Sequence, residues 1–206
     1  MQKIDNVILG TYENNCYIVR DEASPTCILV DPSCDAPCFL EKTQKMGLTI
    51  EAILLTHGHF DHVLAVKEIA EKTGCPVWMH KGDHHPETGA MLEFFYPLSK
   101  EELSDVRYCD EGDVLHLAGL EITVLATPGH TNGSVCYQFE DILITGDTLF
   151  AGSIGRTDLP GGSYQTIQAS LSRLAALEEN YHILPGHGEE SDLATEKRHN
   201  PYLRGM

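Results

Sequence analysis

The sequence predicts an α/β fold, because apolar strands alternate with amphipathic helices along its 206 residues. An N-terminal hairpin is the first sign of this: predicted strands at 17–19 and 27–30 flank the polar segment 21–25. The second sign is that each half of the chain contains hairpin strands followed by β/α units, which suggests an internally duplicated sandwich. The length fits one domain covering residues 1–206.

The remaining elements follow from apolar spacing and from the turn residues at their ends. After the hairpin, the first half is predicted to contain a helix at 36–46, a strand at 51–55, a helix from 63 to 73 and a strand at 76–79. The second half is predicted to contain strands at 114–117, 120–125, 135–139 and 142–144, a helix at 166–177 and a strand at 181–184. Residues 81–105 are less regular, and we expect them either to cover a site or to form a surface excursion.

Composition excludes some classes of partner. The formal net charge of −17 excludes nucleic acid, whose phosphates need a basic surface. No apolar run is long enough to span a membrane, and the N-terminus has no basic segment followed by a long apolar stretch. We therefore expect a cytoplasmic protein without a membrane partner, either a monomer or a homodimer.

The cysteines are expected to be reduced thiols, most of them buried in strands. There are seven of them, spread along the chain. Cys34 and Cys38 are four positions apart and can meet on one helix turn, so a metal or redox role is the alternative for this pair.

Four metal-binding side chains fall within residues 56–62, which read Thr-His-Gly-His-Phe-Asp-His and directly follow the apolar run 52–55. Side chains of this kind are usually hydrated and scattered. Packed so tightly, they would repel one another once charged unless a cation draws them together. The stretch therefore predicts a metal site. Its candidate ligands are His57, His59, Asp61 and His62.

Three further candidate ligands follow apolar strands in the second half of the chain. They are His130 in Thr-Pro-Gly-His-Thr, Asp147 in Ile-Thr-Gly-Asp-Thr and His187 in Leu-Pro-Gly-His-Gly. Each comes after an apolar strand and a small or glycine-containing turn. If these strands run side by side, their ends gather at one rim of the sheet, where functional sites usually occur.

Together the candidates comprise five histidines and two aspartates. A zinc ion takes about four ligands, and a catalytic one keeps a position for water, so this set is too large for one ion and suits two. In such sites the ions lie roughly 3.5–4 Å apart, and a carboxylate can bridge them. Nitrogen and oxygen donors suit Zn, Fe or Mn, of which we expect Zn first. The other histidines are expected to cap helices, bond locally or face solvent, with His84-His85 as the nearest rival pair; they are His80, His84, His85, His116, His182 and His199.

The order of these motifs resembles the metallo-β-lactamase superfamily over the whole chain. The matching motifs are His57-x-His59-x-Asp61-His62, Gly129-His130-Thr131, Gly146-Asp147 and Gly186-His187. Within that superfamily, residues 146–150, 152–158 and 196–202 are similar to the glyoxalase II (hydroxyacylglutathione hydrolase) branch.

This resemblance implies a four-layer αββα sandwich and a ligand set for each metal. The implied sets are His57, His59 and His130 for the first metal, Asp61, His62 and His187 for the second, and Asp147 as the bridge. It further implies that a hydroxide bridging the two metals attacks the substrate. The expected activity is therefore binuclear hydrolysis of a small-molecule thioester such as a hydroxyacylglutathione, with Asp61 and Asp147 as the catalytic carboxylates.

The chain departs from the larger glyoxalase II enzymes where substrate binds. Only 19 residues follow His187, too few for the helical C-terminal domain that helps hold glutathione in those enzymes. Their basic residue after the bridging aspartate is matched by Arg156, but their nearby tyrosine is matched by Asp158. We expect Arg156 either to bind a substrate carboxylate or to pair with Asp158 or Asp147 and brace its loop.

Other interpretations of the same residues remain. Asp31, at the end of a predicted strand, either orients a ligand histidine or caps a turn. Persulfide dioxygenase resembles this fold, carries a Gly-Arg-Thr-Asp stretch like that at 155–158, and uses one iron with two histidines and an aspartate. Lactone or β-lactam hydrolysis would use the same nucleophile. A zinc-stabilised binding module without catalysis is the remaining alternative.

Overall fold

The computed structural model describes residues 1–85, 90–100 and 103–204. Two mixed β-sheets pack face to face, and helices cover the outer face of each. The predicted αββα sandwich is therefore confirmed. Each half of the chain supplies one of the two sheets. Within the described residues, no helix is both long and apolar enough to cross a bilayer.

The first sheet contains six strands in chain order. Its first three strands are antiparallel and the others are added in parallel. The predicted N-terminal hairpin is the β2–β3 pair, in which Tyr17 lies opposite Val30. The strands are β1 (Gln2–Leu9), β2 (Asn14–Asp21), β3 (Thr26–Val30), β4 (Thr49–Leu54), β5 (Val77–Met79) and β6 (Val106–Tyr108).

The second sheet has the strand order β14-β13-β10-β9-β8-β7. Its pairs are antiparallel except for β10 and β13, which are parallel. A separate small hairpin follows β10. The strands of this half are β7 (Val114–Leu117), β8 (Leu120–Ala126), β9 (Val135–Phe139), β10 (Ile142–Gly146), β11 (Leu149–Phe150), β12 (Ser153–Ile154), β13 (His182–Pro185) and β14 (Ser191–Asp192).

The helices begin at side-chain caps where the sequence provides them. Asp35, Ser163 and Asp192 each accept a hydrogen bond from the backbone three residues ahead. The helices are α1 (Ala36–Lys45), α2 (Phe60–Val63), α3 (Val66–Thr73), α4 (Ala90–Phe95), α5 (Tyr164–Ala175) and α6 (Leu193–His199). Two 3-10 turns occupy Lys81–Asp83 and Pro97–Lys100.

The single helix predicted from 63 to 73 is two helices. The amide of Ala65 donates to the carbonyl of Pro32 at 3.3 Å, which interrupts the helical hydrogen bonding between α2 and α3. The predicted end of the second helix is correct, because Gly74 terminates α3 with a φ of 71°. The break sets α2, which carries Asp61 and His62, apart from the longer helix.

Alternating strand residues divide the interior into three apolar layers. In β3, Cys27 and Leu29 face the helix layer of the first sheet, whereas Ile28 and Val30 face the second sheet. In β9, Tyr137 points into the layer between the sheets and Cys136 into the layer under α5. Side chains on both faces of the central strands are thus removed from water, and this close packing holds the ends of those strands in fixed positions.

The irregular segment predicted at 81–105 contains one short helix, α4, and the two 3-10 turns, with residues 86–89 and 101–102 outside the described part of the chain. Helix α4 lies beside the candidate site, since Phe95 approaches the ring of His59 to 6.3 Å between centroids. Of the two expectations for this segment, the contact supports the one in which it covers a site.

Candidate metal centre

The seven candidate ligands all follow strand ends at one edge of the sandwich. The 56–62 loop follows β4 of the first sheet, while His130, Asp147 and His187 follow β8, β10 and β13 of the second. Because β9 is antiparallel to both β8 and β10, and β13 is parallel to β10, these three strands end at the same edge. The ligand loops of both sheets therefore meet there.

Two glycines allow the loops to approach closely. Gly146 has a φ of 48°, and a Cβ atom at this position would lie 2.2 Å from Oγ1 of Thr56. A Cβ on Gly186 would lie 2.3 Å from Oδ1 of Asp147 and 2.8 Å from Cε1 of His62. The Gly-Asp and Gly-His pairs in the sequence are therefore steric requirements of the site.

His57, His59 and His130 form the first group of donors. One donor atom from each lies within 4.8 Å of the others. Nδ1 of His59 is 2.9 Å from Nε2 of His130. All three side chains are at most 3% exposed. Three imidazoles aimed at one point in a dry environment can hold a transition-metal ion.

Asp61, His62 and His187 form the second group, again with donor atoms within 4.8 Å of one another. Nε2 of His62 lies 3.2 Å from Nε2 of His187. Oδ2 of Asp61 is 3.5 Å from Nε2 of His187, and it accepts a hydrogen bond from the Asn14 side chain at 3.2 Å. This group is more open than the first, because His187 is 25% exposed.

Asp147 lies between the two groups. Its Oδ2 is 3.5 Å from Nε2 of His130 in the first group and 3.6 Å from Nε2 of His187 in the second. Its Oδ1 is 3.5 Å from Nε2 of His62. The rings of His57 and His62 are 4.2 Å apart between centroids. The structure thus gathers all seven predicted donors in one place.

In three of the histidines, the ring nitrogen that points away from the centre has a protein partner. Nδ1 of His62 donates to Oδ2 of Asp31 at 3.1 Å, and Nδ1 of His130 and His187 donate to the carbonyls of Arg156 and Tyr12 at 2.8 and 2.9 Å. Such bonds fix the orientation of an imidazole and leave its other nitrogen free to bind a metal.

Asp31 links β3 to the ligand loop. It has a left-handed backbone with a φ of 49°, uncommon for a residue with a side chain. Its carboxylate accepts hydrogen bonds from the amide and the hydroxyl of Thr56 at 2.7 and 2.5 Å, in addition to the one from His62. Of the two roles expected for Asp31, these contacts match the orientation of a ligand histidine.

Two histidines of the first group, His57 and His59, are held in the neutral form by their surroundings. Burial lowers the pKa of His57 well below its usual value, and the neighbouring His62 and His130 lower it further. Burial, followed by the effect of His130, lowers the pKa of His59 to about 3. An imidazole must be unprotonated to bind a metal, so both side chains are in the binding form at neutral pH.

The second group carries charge in the absence of a cation. Burial opposes protonation of His62, but the carboxylates of Asp147 and Asp31 outweigh it and raise its pKa to about 9. Burial also opposes the charge on Asp61, yet the hydrogen bond from His187 and the charge of His62 hold the pKa of Asp61 below its usual range. The proton on His62 thus balances part of the negative charge of the neighbouring carboxylates, which a bound metal would neutralise instead.

The donor set fits a pair of divalent cations. Nε2 of His57 and Oδ1 of Asp147 are buried and have no hydrogen-bond partner, which is costly unless a ligand or ion satisfies them. The donors are nitrogen and carboxylate oxygen, suited to Zn, Fe or Mn. They form two groups that a single carboxylate adjoins, the arrangement expected for two ions with a shared ligand.

Sequence reasoning missed Asp83. This carboxylate is 2% exposed and accepts hydrogen bonds from the amides of Gly58 and Gly133 at 2.9 and 2.7 Å and from the hydroxyl of Thr131 at 2.7 Å. It therefore joins the loop of His57 and His59 to the loop of His130. The sequence around Asp83, next to His84 and His85, does not indicate this role. The residues that donate hydrogen bonds to its carboxylate lie 25 to 50 positions away.

The remaining predicted side chains lie outside the two groups. Nε and Nη2 of Arg156 donate to the two carboxylate oxygens of Asp158 at 2.7 and 2.8 Å. Of the two roles expected for Arg156, these bonds match the one in which it pairs with Asp158 and braces its loop. None of the six other histidines belongs to a donor group found among the described residues. All seven cysteines are free, and five are buried. The exceptions, Cys34 and Cys38, are in no donor group of the described chain.

The sequence comparisons agree with this geometry. Residues 9–187 match the sequence model of the Metallo-beta-lactamase superfamily. The chain is 37% identical over 204 residues to the probable metallo-hydrolase YqgX of Bacillus subtilis, with 96% of each chain covered. It is 32% identical over 209 residues to the hydroxyacylglutathione hydrolase GloC of Haemophilus influenzae, with 97% of each covered.

Solved structures of similar proteins share the fold. The BLEG-1 B3 metallo-beta-lactamase superimposes with a TM-score of 0.86 at 31% identity, covering 98% of this chain and 100% of that one. The protein TTHA1623, solved in a di-iron-bound form, gives a TM-score of 0.82 at 37% identity, with coverage of 97% and 100%. ETHE1 from Myxococcus xanthus gives 0.82 at 28% identity, with coverage of 97% and 83%.

Replacing Asp147 with alanine should lower the metal content. The variant loses the carboxylate that adjoins both groups, so we expect the bound metal to fall from about two ions per chain to one or fewer. Elemental analysis after reconstitution with excess zinc and dialysis measures this. Asp141→Ala, at the opposite end of β10, is the control and should keep the wild-type content. An Asp147→Ala protein with undiminished metal would contradict the arrangement.

Metal binding should release protons and strengthen as pH rises. His62 has a pKa of about 9 without a cation, so it is protonated at pH 7.5 and must lose that proton to bind a metal. Affinity should therefore increase from neutral pH up to about 9. Calorimetric titration with zinc at pH 7.5, in two buffers of different ionisation enthalpy, counts the protons. A buffer-independent heat would show that none is released.

Replacing Asp83 with alanine should destabilise the protein. The amides of Gly58 and Gly133 would be left buried without an acceptor, at a cost of roughly 2–5 kcal/mol in the free energy of unfolding. Urea unfolding of the metal-free proteins measures the difference. Asp105→Ala, which removes a surface partner of Arg107, is the control and should change stability by less than about 0.5 kcal/mol. Equal effects of the two substitutions would argue against a special role for Asp83.

Proposed function

This chain belongs to the metallo-beta-lactamase superfamily, and from that premise we propose that it is a binuclear metal-dependent hydrolase of a thioester such as a hydroxyacylglutathione. The observation that carries the proposal is the position of Asp147, whose carboxylate lies within 3.6 Å of donor nitrogens from both groups. A shared carboxylate of this kind suits two ions that act on one substrate.

The proposed ligands divide as the donor groups do. His57, His59 and His130 would hold one cation, Asp61, His62 and His187 the other, and Asp147 would contact both. When bound, the two cations would lower the pKa of a shared water so that hydroxide is available near neutral pH, and would polarise the carbonyl of the substrate. Zinc is the proposed resident metal, with iron or manganese compatible with the same donors.

The chain's own residues prepare the reaction site. Asp31 and the carbonyls of Arg156 and Tyr12 hold the histidine rings in place, so little reorganisation accompanies substrate binding. Asp61 is 17% exposed and lies on the side of the second group that opens to the cavity. It is therefore placed to orient the attacking water, as the second proposed catalytic carboxylate beside Asp147.

A thioester suits a site without a separate proton donor. The leaving thiolate needs little protonation, unlike the amine released by an amide. The side chains that line the cavity and can carry a proton are, apart from the proposed ligands, Tyr12 and Arg156 among the described residues. Neither is required as an acid for a thiolate to leave. The similarity to GloC, a hydroxyacylglutathione hydrolase by name, supports this substrate class.

Oxidation of a glutathione persulfide at a single iron is the alternative. The stretch Gly155 to Asp158 favours it, because a similar stretch occurs in persulfide dioxygenases. Such an enzyme uses two histidines and an aspartate at one iron. The second donor group has that composition, but the first group would then have no role, which is why we place hydrolysis first.

Turnover of lactoylglutathione tests the proposal. Protein loaded with two equivalents of zinc should release thiol from it, and removal of the metal should abolish the rate. His59→Ala or Asp147→Ala should lower kcat by at least about 100-fold, because each removes a direct ligand. Thiol release followed with a colorimetric reagent measures this, with Asp141→Ala as the control that keeps the wild-type rate.

Two results would overturn the proposed function. One is a zinc-loaded protein with a full metal content that cleaves no thioester. The other is a preparation with one iron per chain that consumes oxygen with glutathione persulfide as the substrate, which would establish the dioxygenase instead.

A further inference from the structure

Four aromatic side chains form one wall of the cavity that contains the candidate metal centre. We call Tyr12, Phe60, Phe94 and Phe95 the aromatic wall. The cavity has a volume of about 580 Å³, and Asp61, His130, Asp147 and His187 also line it. The hydrolase function proposed above requires only the metal centre and does not account for the aromatic wall.

The wall is a continuous surface built from three separate segments. Tyr12 lies in the turn after β1, Phe60 begins α2, and the other two rings end α4. The rings of Tyr12 and Phe60 are 5.8 Å apart between centroids, those of Phe60 and Phe94 5.4 Å, and those of Phe94 and Phe95 5.2 Å. These are the distances of packed aromatic pairs.

The wall is tied to the donor groups. Phe60 lies between His59 and Asp61 in the sequence, and the carbonyl of Tyr12 accepts the hydrogen bond from His187. A group resting on the wall would therefore occupy the same cavity as a substrate carbonyl at the metals.

Two of the four rings are largely exposed. Phe94 is 64% exposed and Tyr12 is 60% exposed, although both contact the more protected Phe60. An exposed apolar surface inside a cavity is typical of a ligand site, because binding an apolar group there removes both surfaces from water. Phe94 and Tyr12 thus present apolar surface that a ligand can cover.

Away from the proposed metal centre, the side chains of this cavity offer little support to an anionic ligand group. Arg156 is the one lysine or arginine among the described residues that line it, and its guanidinium is engaged at two nitrogens by Asp158. The formal net charge of the chain is −17. A ligand carboxylate could bind Arg156 through two hydrogen bonds only by displacing Asp158. An uncharged ligand group does not compete with Asp158 for Arg156.

We propose that the aromatic wall binds an apolar group, aromatic or branched aliphatic, attached next to the bond that is cleaved. The substrate is then a thioester with a bulky apolar substituent rather than one recognised mainly by its charges. This inference rests on the proposed hydrolase function and names the class of substrate that the same site selects.

Matched substrate series test the inference and separate the two sides of the scissile bond. In the first series the thiol is glutathione and the acyl group changes from lactoyl to its phenyl-bearing counterpart, mandeloyl. In the second the acyl group is lactoyl and the thiol changes from glutathione to phenylmethanethiol. We expect kcat/KM to rise at least about tenfold with the phenyl group in one series, which identifies the side that meets the wall.

Substitutions in α4 provide the structural control. Phe94→Ala should reduce the preference for the phenyl-bearing substrate to less than about threefold, because it removes an exposed ring of the wall. Met91→Ala changes an apolar residue that is 67% exposed on the same helix but does not line the cavity, and it should keep the full preference. A preference that survives in Phe94→Ala, or that is absent from the wild type in both series, would overturn the inference.

Binding of the product acid distinguishes this failure from failure of the function. Mandelate titrated into the zinc-loaded protein should bind more tightly than lactate, as measured by nuclear magnetic resonance, and Phe94→Ala should remove the difference. If no thioester is cleaved but this difference is found, the hydrolase proposal fails and the apolar subsite stands. If thioesters are cleaved and mandelate binds no better than lactate, the subsite fails alone.

Discussion

The constraint on which the site depends is the crowding of ionisable side chains, because five imidazoles and two carboxylates meet at one edge of the sandwich. His62 is buried beside the carboxylates of Asp31 and Asp147, which raise its pKa to about 9. Burial lowers the pKa of His57 and His59, so these two imidazoles are neutral. Only a rigid frame can keep such side chains together, and the three apolar layers of the sandwich provide it.

The parts of the protein predicted from sequence are those encoded by local patterns. Strand β9 was predicted at its observed bounds, because an apolar run of five residues lies between turn residues. The ligand motifs were recognisable because each combines a strand end, a glycine and a donor. The αββα sandwich followed from the resemblance that these motifs carry.

The parts that were missed depend on distant contacts. Strand β1 alternates polar and apolar residues that remain half-exposed, so its pattern is weak, and its place is set by pairing with β2. The break between α2 and α3 arises from the hydrogen bond that the amide of Ala65 donates to the carbonyl of Pro32, which is distant in sequence but adjacent in space. Asp83 is likewise defined by partners in two other loops. No window of local sequence contains these interactions.

The first donor group takes His57 and His59 from a loop of one sheet and His130 from a loop of the other. An ion held by all three would act as a cross-link between the N-terminal and C-terminal halves of the chain. Neither half could then separate from its counterpart without releasing the ion. A cofactor that serves the chemistry would in this way also fasten the two sheets together, so that unfolding of the loaded protein would release the metal and would require more denaturant than unfolding of the metal-free protein.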